Sequence, residues 1–215
     1  MTLEEAVERV RAAVEQHGLL LMQDAKLPSL VAIVATGPIK GSWWSHPQSA
    51  LMFDVLQVIH EETLVVKLLS GKRTFVHSRL WPAVCAIAES NEPWQLDGLP
   101  TDAREVLDRV RVEGSIRSDH IELPATNRKL AAIADELEKR LLVHATDEHT
   151  ERGHHARALQ TWAHWRAQAK LSARSLPTVE SARELIETAT ARYSAPEPIQ
   201  RLLPWLKVSP PKRRR

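Results

Sequence analysis

The chain has 215 residues, 43% apolar and 26% charged, with 29 Lys and Arg against 27 Asp and Glu. These are the proportions of an ordinary globular protein, and they exclude a collagen-like or wholly disordered chain. No apolar run approaches the roughly 18–20 residues that a membrane-crossing helix needs, so no membrane partner is expected, and a near-balanced charge does not by itself announce a polyanion binder. The acidic start MTLEEAVERV is unlike a secretory signal, so the expected location is the cytoplasm. The single cysteine, Cys85, excludes an internal disulfide and a thiolate zinc cluster. Its setting in WPAVCAIAES reads as that of a small buried apolar residue rather than a nucleophile.

In chain order, Thr2 and Glu5 form a capping box ahead of a helix with Leu3, Val7, Val10 and Val14 on one face, and Gly18 follows as its C-terminal stop. Pro28 breaks the next apolar stretch, and Ser29 caps a short segment from Leu30 to Ala35. GPIKGSWWSHP is a loop. Gln48 to His60 is a second helix, with Leu51, Met52, Val55, Leu56 and Ile59 as its apolar stripe. Thr63–Leu69 and Arg73–His77 are β-branched and apolar around the turn Ser70-Gly71-Lys72, which predicts a hairpin. A third helix is expected from Ser78 to Glu89, and residues 91–99 form a connector.

The second block opens with a helix from Thr101 to Gly114, then an extended piece at Ser115–Arg117 and a small turn from Ser118. A longer helix is expected from Thr126 or Asn127 to about Lys139, followed by a strand from Leu141 to Ala145. Its return strand falls within His155 to Trp162, although Leu159, Trp162 and Trp165 also suit a helix. Helix, strand, short helix, longer helix and hairpin is the order of a winged helix, whose third helix enters the major groove. The last helix follows Pro177-Thr178, IQRLLPWLK is a docking segment, and KVSPPKRRR reads as a disordered basic tail. The expected fold is mostly α with short β-hairpins: tandem winged-helix-like lobes at 1–97 and 98–170, a helical C-terminal extension at 171–206, and the tail at 207–215.

GSWW at 41–44 with His46-Pro47, VVKLLSGKRTFVHSRLWP at 65–82 and LLVHATDEHTERGHHARALQTWAHW at 141–165 resemble a family of small bacterial proteins related to the AlkZ-type DNA glycosylases. The resemblance spans roughly residues 5–170. It implies tandem winged helices, a double-stranded DNA partner and a link to base repair. The glycosylases' catalytic signature is Gln, an apolar residue, then Gln or Asp; Gln95-Leu96-Asp97 fits it, which implies Gln95 and Asp97 as a pair acting on a water or a developing oxocarbenium ion. The chain has no room for the further winged helix and barrel-like parts of the full enzymes.

The residues themselves nominate a DNA grip. Asn127, Arg128 and Lys129 with Lys139 and Arg140 lie on the expected long helix, and Arg152, His154, His155 and Arg157 lie around the second hairpin. Lys67, Lys72, Arg73, His77 and Arg79 make a second basic cluster at the first hairpin, and the KRRR terminus adds four cations. Against this, Asp135, Glu136 and Glu138 share the long helix and oppose phosphate approach. His144, His149, His154 and His155 lack any fixed metal-ligand spacing and read as a polar hairpin, so no metal or other cofactor is expected. Trp43 and Trp44 suit either a core edge or a stacking surface for an exposed base. The competing readings are a protein-interaction module on the same fold, and a minimal glycosylase.

Overall fold

The computed structural model describes residues 1–121, 128–149, 155–194 and 198–207, and of residues 119, 147–149, 155 and 156 it describes the backbone. The described chain is mostly helical, with two three-stranded antiparallel sheets. No described helix is long and apolar enough to cross a membrane.

The first lobe starts with α1 (Leu3–His17). Its capping box closes as expected: the Thr2 hydroxyl accepts from the Glu5 N–H at 3.2 Å, and the Glu5 carboxylate accepts from the Thr2 N–H at 2.9 Å. Gly18 stops the helix at φ +79, and a side chain there would also meet Leu80 at 2.8 Å. β1 (Leu19–Leu21), α2 (Leu30–Val34), α3 (Ser49–Glu62), β2 (Leu64–Lys67) and β3 (Arg73–Val76) follow. β3 is the middle strand, so the expected hairpin gains a third member in β1. No alternation marks β1 in the sequence, because all three leucines are buried.

The helix expected from Ser78 begins as a 3-10 turn at Ser78–Leu80 and becomes α4 (Trp81–Ala88), with Pro82 in its first turn where no N–H is needed. The connector contains the short α5 (Pro93–Leu96).

The second lobe comprises α6 (Thr101–Glu113), β4 (Ser115–Arg117), α7 (Leu130–Lys139), β5 (His144–His149) and β6 (His155–Gln160). Its strand order, β4-β6-β5, repeats that of the first sheet. α7 starts later than expected: Lys129 is extended (ψ 143), and the first helical bonds run from Ala132 and Ile133 to its carbonyl. Arg128 and Lys129 therefore precede α7 rather than ride on it, and Thr126 and Asn127 lie outside the described residues. The strand expected from Leu141 starts at His144, because Leu141 turns through φ +53 while Leu142 donates back to Leu137. β6 gives way at Thr161 to α8 (Trp162–Gln168), which settles residues 155–165 as strand, then helix.

Two cores result. One runs from Leu99 to Leu159 inside the second lobe. The other holds the first lobe together with Leu141, Trp162 and the C-terminal extension. α9 (Val179–Ser194) lies against α4, placing Ala182, Ile186 and Tyr193 in that core. The Tyr193 hydroxyl donates to the Pro28 carbonyl and accepts from the Leu21 N–H, tying α9 to β1. Each fully buried large side chain, Phe75 for example, contributes about 2 kcal/mol.

Candidate functional site

The expected grip brings α7 and the first hairpin together, but against each other. Asp135 and Glu138, three residues apart, share one side of α7. The Lys67 ammonium on β2 donates to both, at 2.6 and 2.7 Å. Glu138 also accepts from Arg157 of β6, at 2.7 and 2.8 Å. It thus joins a cation of each sheet, and Lys67 and Glu138 are only 12% and 10% exposed. Burial pushes the Asp135 carboxyl up, but hydrogen bonds from Lys139 and Lys67 outweigh it and hold the group below its ordinary value.

The neighbouring candidates are held likewise. Arg128 binds Asp102 at 2.9 Å and Glu136 at 2.6 Å. Arg140 binds Glu136 at 3.2 Å and caps the carbonyls of Gln95 and Asp97 at 3.0 and 2.9 Å. Lys139 pairs with Asp135, and Lys72 with Asp24, at 2.6 and 2.7 Å. Lys129 and Arg73 are exposed. Asn127, Arg152, His154 and the KRRR terminus lie outside the described residues, as does the side chain of His155.

The first hairpin is not an open wing. Leu68 and Leu69 at its tip are buried, and the Ser70 N–H donates to the Leu202 carbonyl of the C-terminal extension at 2.7 Å. A side chain at Gly71 would press on Lys139 at 3.2 Å. The tip's glycine and cations suggested a solvated turn, but the two leucines before them need cover, and residues more than a hundred positions away supply it.

Gln95 and Asp97 do not converge. The connector expected at 91–99 forms a helical turn over Pro93–Leu96, so Gln95 faces inward with no exposure while Asp97 is exposed. The Gln95 amide is fully engaged. Its oxygen accepts from the Glu92 N–H at 2.9 Å and lies 3.1 Å from the Ser90 hydroxyl, whose proton it shares with the Ile87 carbonyl at 2.7 Å. Its nitrogen donates to the Ala88 and Arg140 carbonyls at 3.2 and 3.1 Å. This amide joins the two lobes, and with no exposure to solvent it is closed to a catalytic water.

Of the four histidines of the second hairpin, only His144 has its side chain among the described residues; those of His149, His154 and His155 lie outside them. His144 is buried between the lobes, accepting at Nδ1 from the Gln160 amide at 3.0 Å, with the Val65 backbone as its other partner. It packs edge-on against Trp162. Burial pulls its pKa down to about 4. No metal-holding group of His, Cys, Asp and Glu occurs among the described residues. An open cleft of about 460 Å³ between α4, α6 and α8 is lined by Glu89, Asn91, Arg111 and Trp162, but Glu89 binds Arg166 and Arg111 binds Asn91. Cys85 is buried and its thiol is pushed up to about 12, by burial first and then by Glu89. It should resist a maleimide at pH 7.5 in the folded protein and react at once in denaturant; ready labelling of the native chain would contradict its placement.

The two adjacent tryptophans take opposite roles. Trp43 is buried at 5% exposure, and Trp44 stacks on it with ring centroids 3.9 Å apart while remaining 62% exposed. Trp44 also leans on Phe53 of α3, 6.0 Å away and 41% exposed. Phe53 belongs to none of the sites expected from the sequence, where its one signal is an aromatic placed just off the apolar stripe of α3.

No known protein family, curated protein or solved structure matches this chain.

Proposed function

We propose that the chain is a tandem winged-helix-like protein that works as a non-catalytic protein-interaction module. The winged-helix reading rests on the order helix, strand, helix, helix, hairpin in the first lobe. It rests equally on the second lobe's described order of helix, strand, helix and hairpin, with the same strand arrangement. In such a lobe the helix before the hairpin reads the major groove; here these helices are α3 and α7. α3 carries no Lys or Arg. α7 turns Asp135 and Glu138 into the first sheet, where Lys67 covers them.

One observation carries the choice against a nucleic-acid grip: Lys67, Lys72, Arg128, Lys139, Arg140 and Arg157 all sit on carboxylates of this same chain. Handing both Lys67 and Arg157 to phosphates strands Glu138 nearly buried, and an unpaired buried charge costs several kcal/mol. The amide of Gln95, spent on the fold, removes the catalytic reading's first requirement.

A second reading, a double-stranded DNA grip through the second hairpin, has one feature in its favour. β5 and β6 run six residues each against four in the first hairpin, and the sequence between them holds Arg152. Salt titration separates the two. Each phosphate neutralised contributes a slope of about −0.9 in log K against log salt. A labelled duplex should bind weakly and with a shallow slope; a slope steeper than about −4, relieved by Lys129→Ala with Arg152→Ala, would overturn the interaction reading in favour of DNA.

A further inference from the structure

We propose that the ledge formed by Trp44, Phe53 and the outward row of α3 is the docking surface, and that its occupant is a basic, arginine-bearing peptide segment of another protein. This deepens the interaction reading and rests on it. The aromatic part is preorganised: Trp43, buried, backs one face of Trp44, and Phe53 supports its edge. The remaining face of Trp44 is open to solvent, which is the geometry a guanidinium needs to lie flat on an indole.

The charge around the ledge selects the ligand. Ala50, Phe53, Asp54, Gln57 and Glu61 recur at helical spacing and are all exposed, so an acidic, aromatic stripe runs along α3. α1 packs against α3, and the two helices together carry seven carboxylates against two arginines. One of those arginines, Arg11, is already closed on Glu8 and Glu62. Lys40, in the loop before Trp43, is the cation nearest in sequence. An exposed tryptophan stacks nucleobases and guanidinium groups alike. The carboxylates decide between them, since they repel a phosphate backbone and attract arginine.

The probe is a short fluorescein-labelled peptide of arginines separated by serine and proline, titrated into the full chain and followed by anisotropy. Saturable binding is expected, weakened about tenfold by Trp44→Ala, weakened further by Phe53→Ala and by Asp54→Lys, and reduced by salt. Trp44 and Asp54 are exposed, so both variants should melt as the parent does; the melting curve is recorded for each. Absent binding, or binding indifferent to Trp44→Ala and Asp54→Lys, overturns the proposal. So does tighter binding of an oligothymidylate at Trp44, or a self-association in sedimentation that Trp44→Ala abolishes, which would give the ledge to a second copy. No peptide binding together with a shallow duplex-salt slope sinks this inference alone, whereas a steep duplex slope sinks the interaction reading beneath it.

Discussion

Replacing Gln95 with alanine should cost about 3 kcal/mol of folding stability, from roughly 1 kcal/mol for each of three buried or part-buried partners left unpaired. Those partners are the Glu92 N–H and the carbonyls of Ala88 and Arg140. For a chain of this length that is a fall of about 9 °C in melting temperature. Asp97→Ala, at an exposed side chain, should move stability by no more than about 0.5 kcal/mol. A catalytic pair predicts the opposite pattern, in which both variants keep the parent's stability and both lose excision of an N7-alkylated guanine. Melting curves of the two variants, with the excision assay on the parent, therefore decide between a structural amide and an active one. A parent that excises, and a Gln95→Ala variant that is inactive yet as stable as the parent, would restore the glycosylase reading.

Acid should loosen the contact between the lobes, because His144 is held neutral there. Its folded pKa of about 4 lies below the ordinary histidine value of 6.5. Above pH 6.5 the imidazole is neutral whether folded or unfolded, and it imposes no proton-linked penalty. As pH falls from 6.5 towards 4 the unfolded chain takes up a proton that the folded chain refuses, so stability drops by about 1.4 kcal/mol per pH unit, about 3 kcal/mol in all. Below pH 4 this loss levels off. His77, lowered by burial and then by Arg79, acts in the same direction over the upper part of this range. The carboxylates held below their ordinary values, Asp24, Glu62 and Asp135, lose their contribution only at lower pH. Urea unfolding at pH 7 and pH 4.5 should thus show a marked drop for the parent and a smaller one for His144→Phe, which keeps the ring against Trp162 but has no proton to bind. Equal drops in both proteins would show that the acid sensitivity lies elsewhere.

The electrostatic reading turned on a contact that no local pattern displays. The Asp135 and Glu138 carboxylates were visible as a mark against phosphate approach on the long helix. Their partner Lys67, 68 and 71 residues away, stands in the sequence among the cations of a separate hairpin. Spacing places these two acids on one side of a helix, yet says nothing of what that side meets. The same limit governs the tryptophans, where Trp43 and Trp44 are neighbours in sequence and differ in exposure by more than half of their surface.

What could be read from the order of residues alone was whatever depends on near neighbours. The Thr2–Glu5 box, the stop at Gly18, the apolar stripe of α3, the turn at Ser70–Lys72 and the strand at Ser115–Arg117 all reappear in space. Caps, periodicity and turn chemistry act over four or five residues, so the sequence carries them directly. Tertiary structure alone decided that β1 completes the first sheet, that Leu202 covers the first hairpin's tip, that Gln95 is enclosed and that Lys67 lies on Glu138. A charge or an amide owes its chemistry to how far it is removed from water and to the group it meets there, and chain segments far apart in sequence supply both.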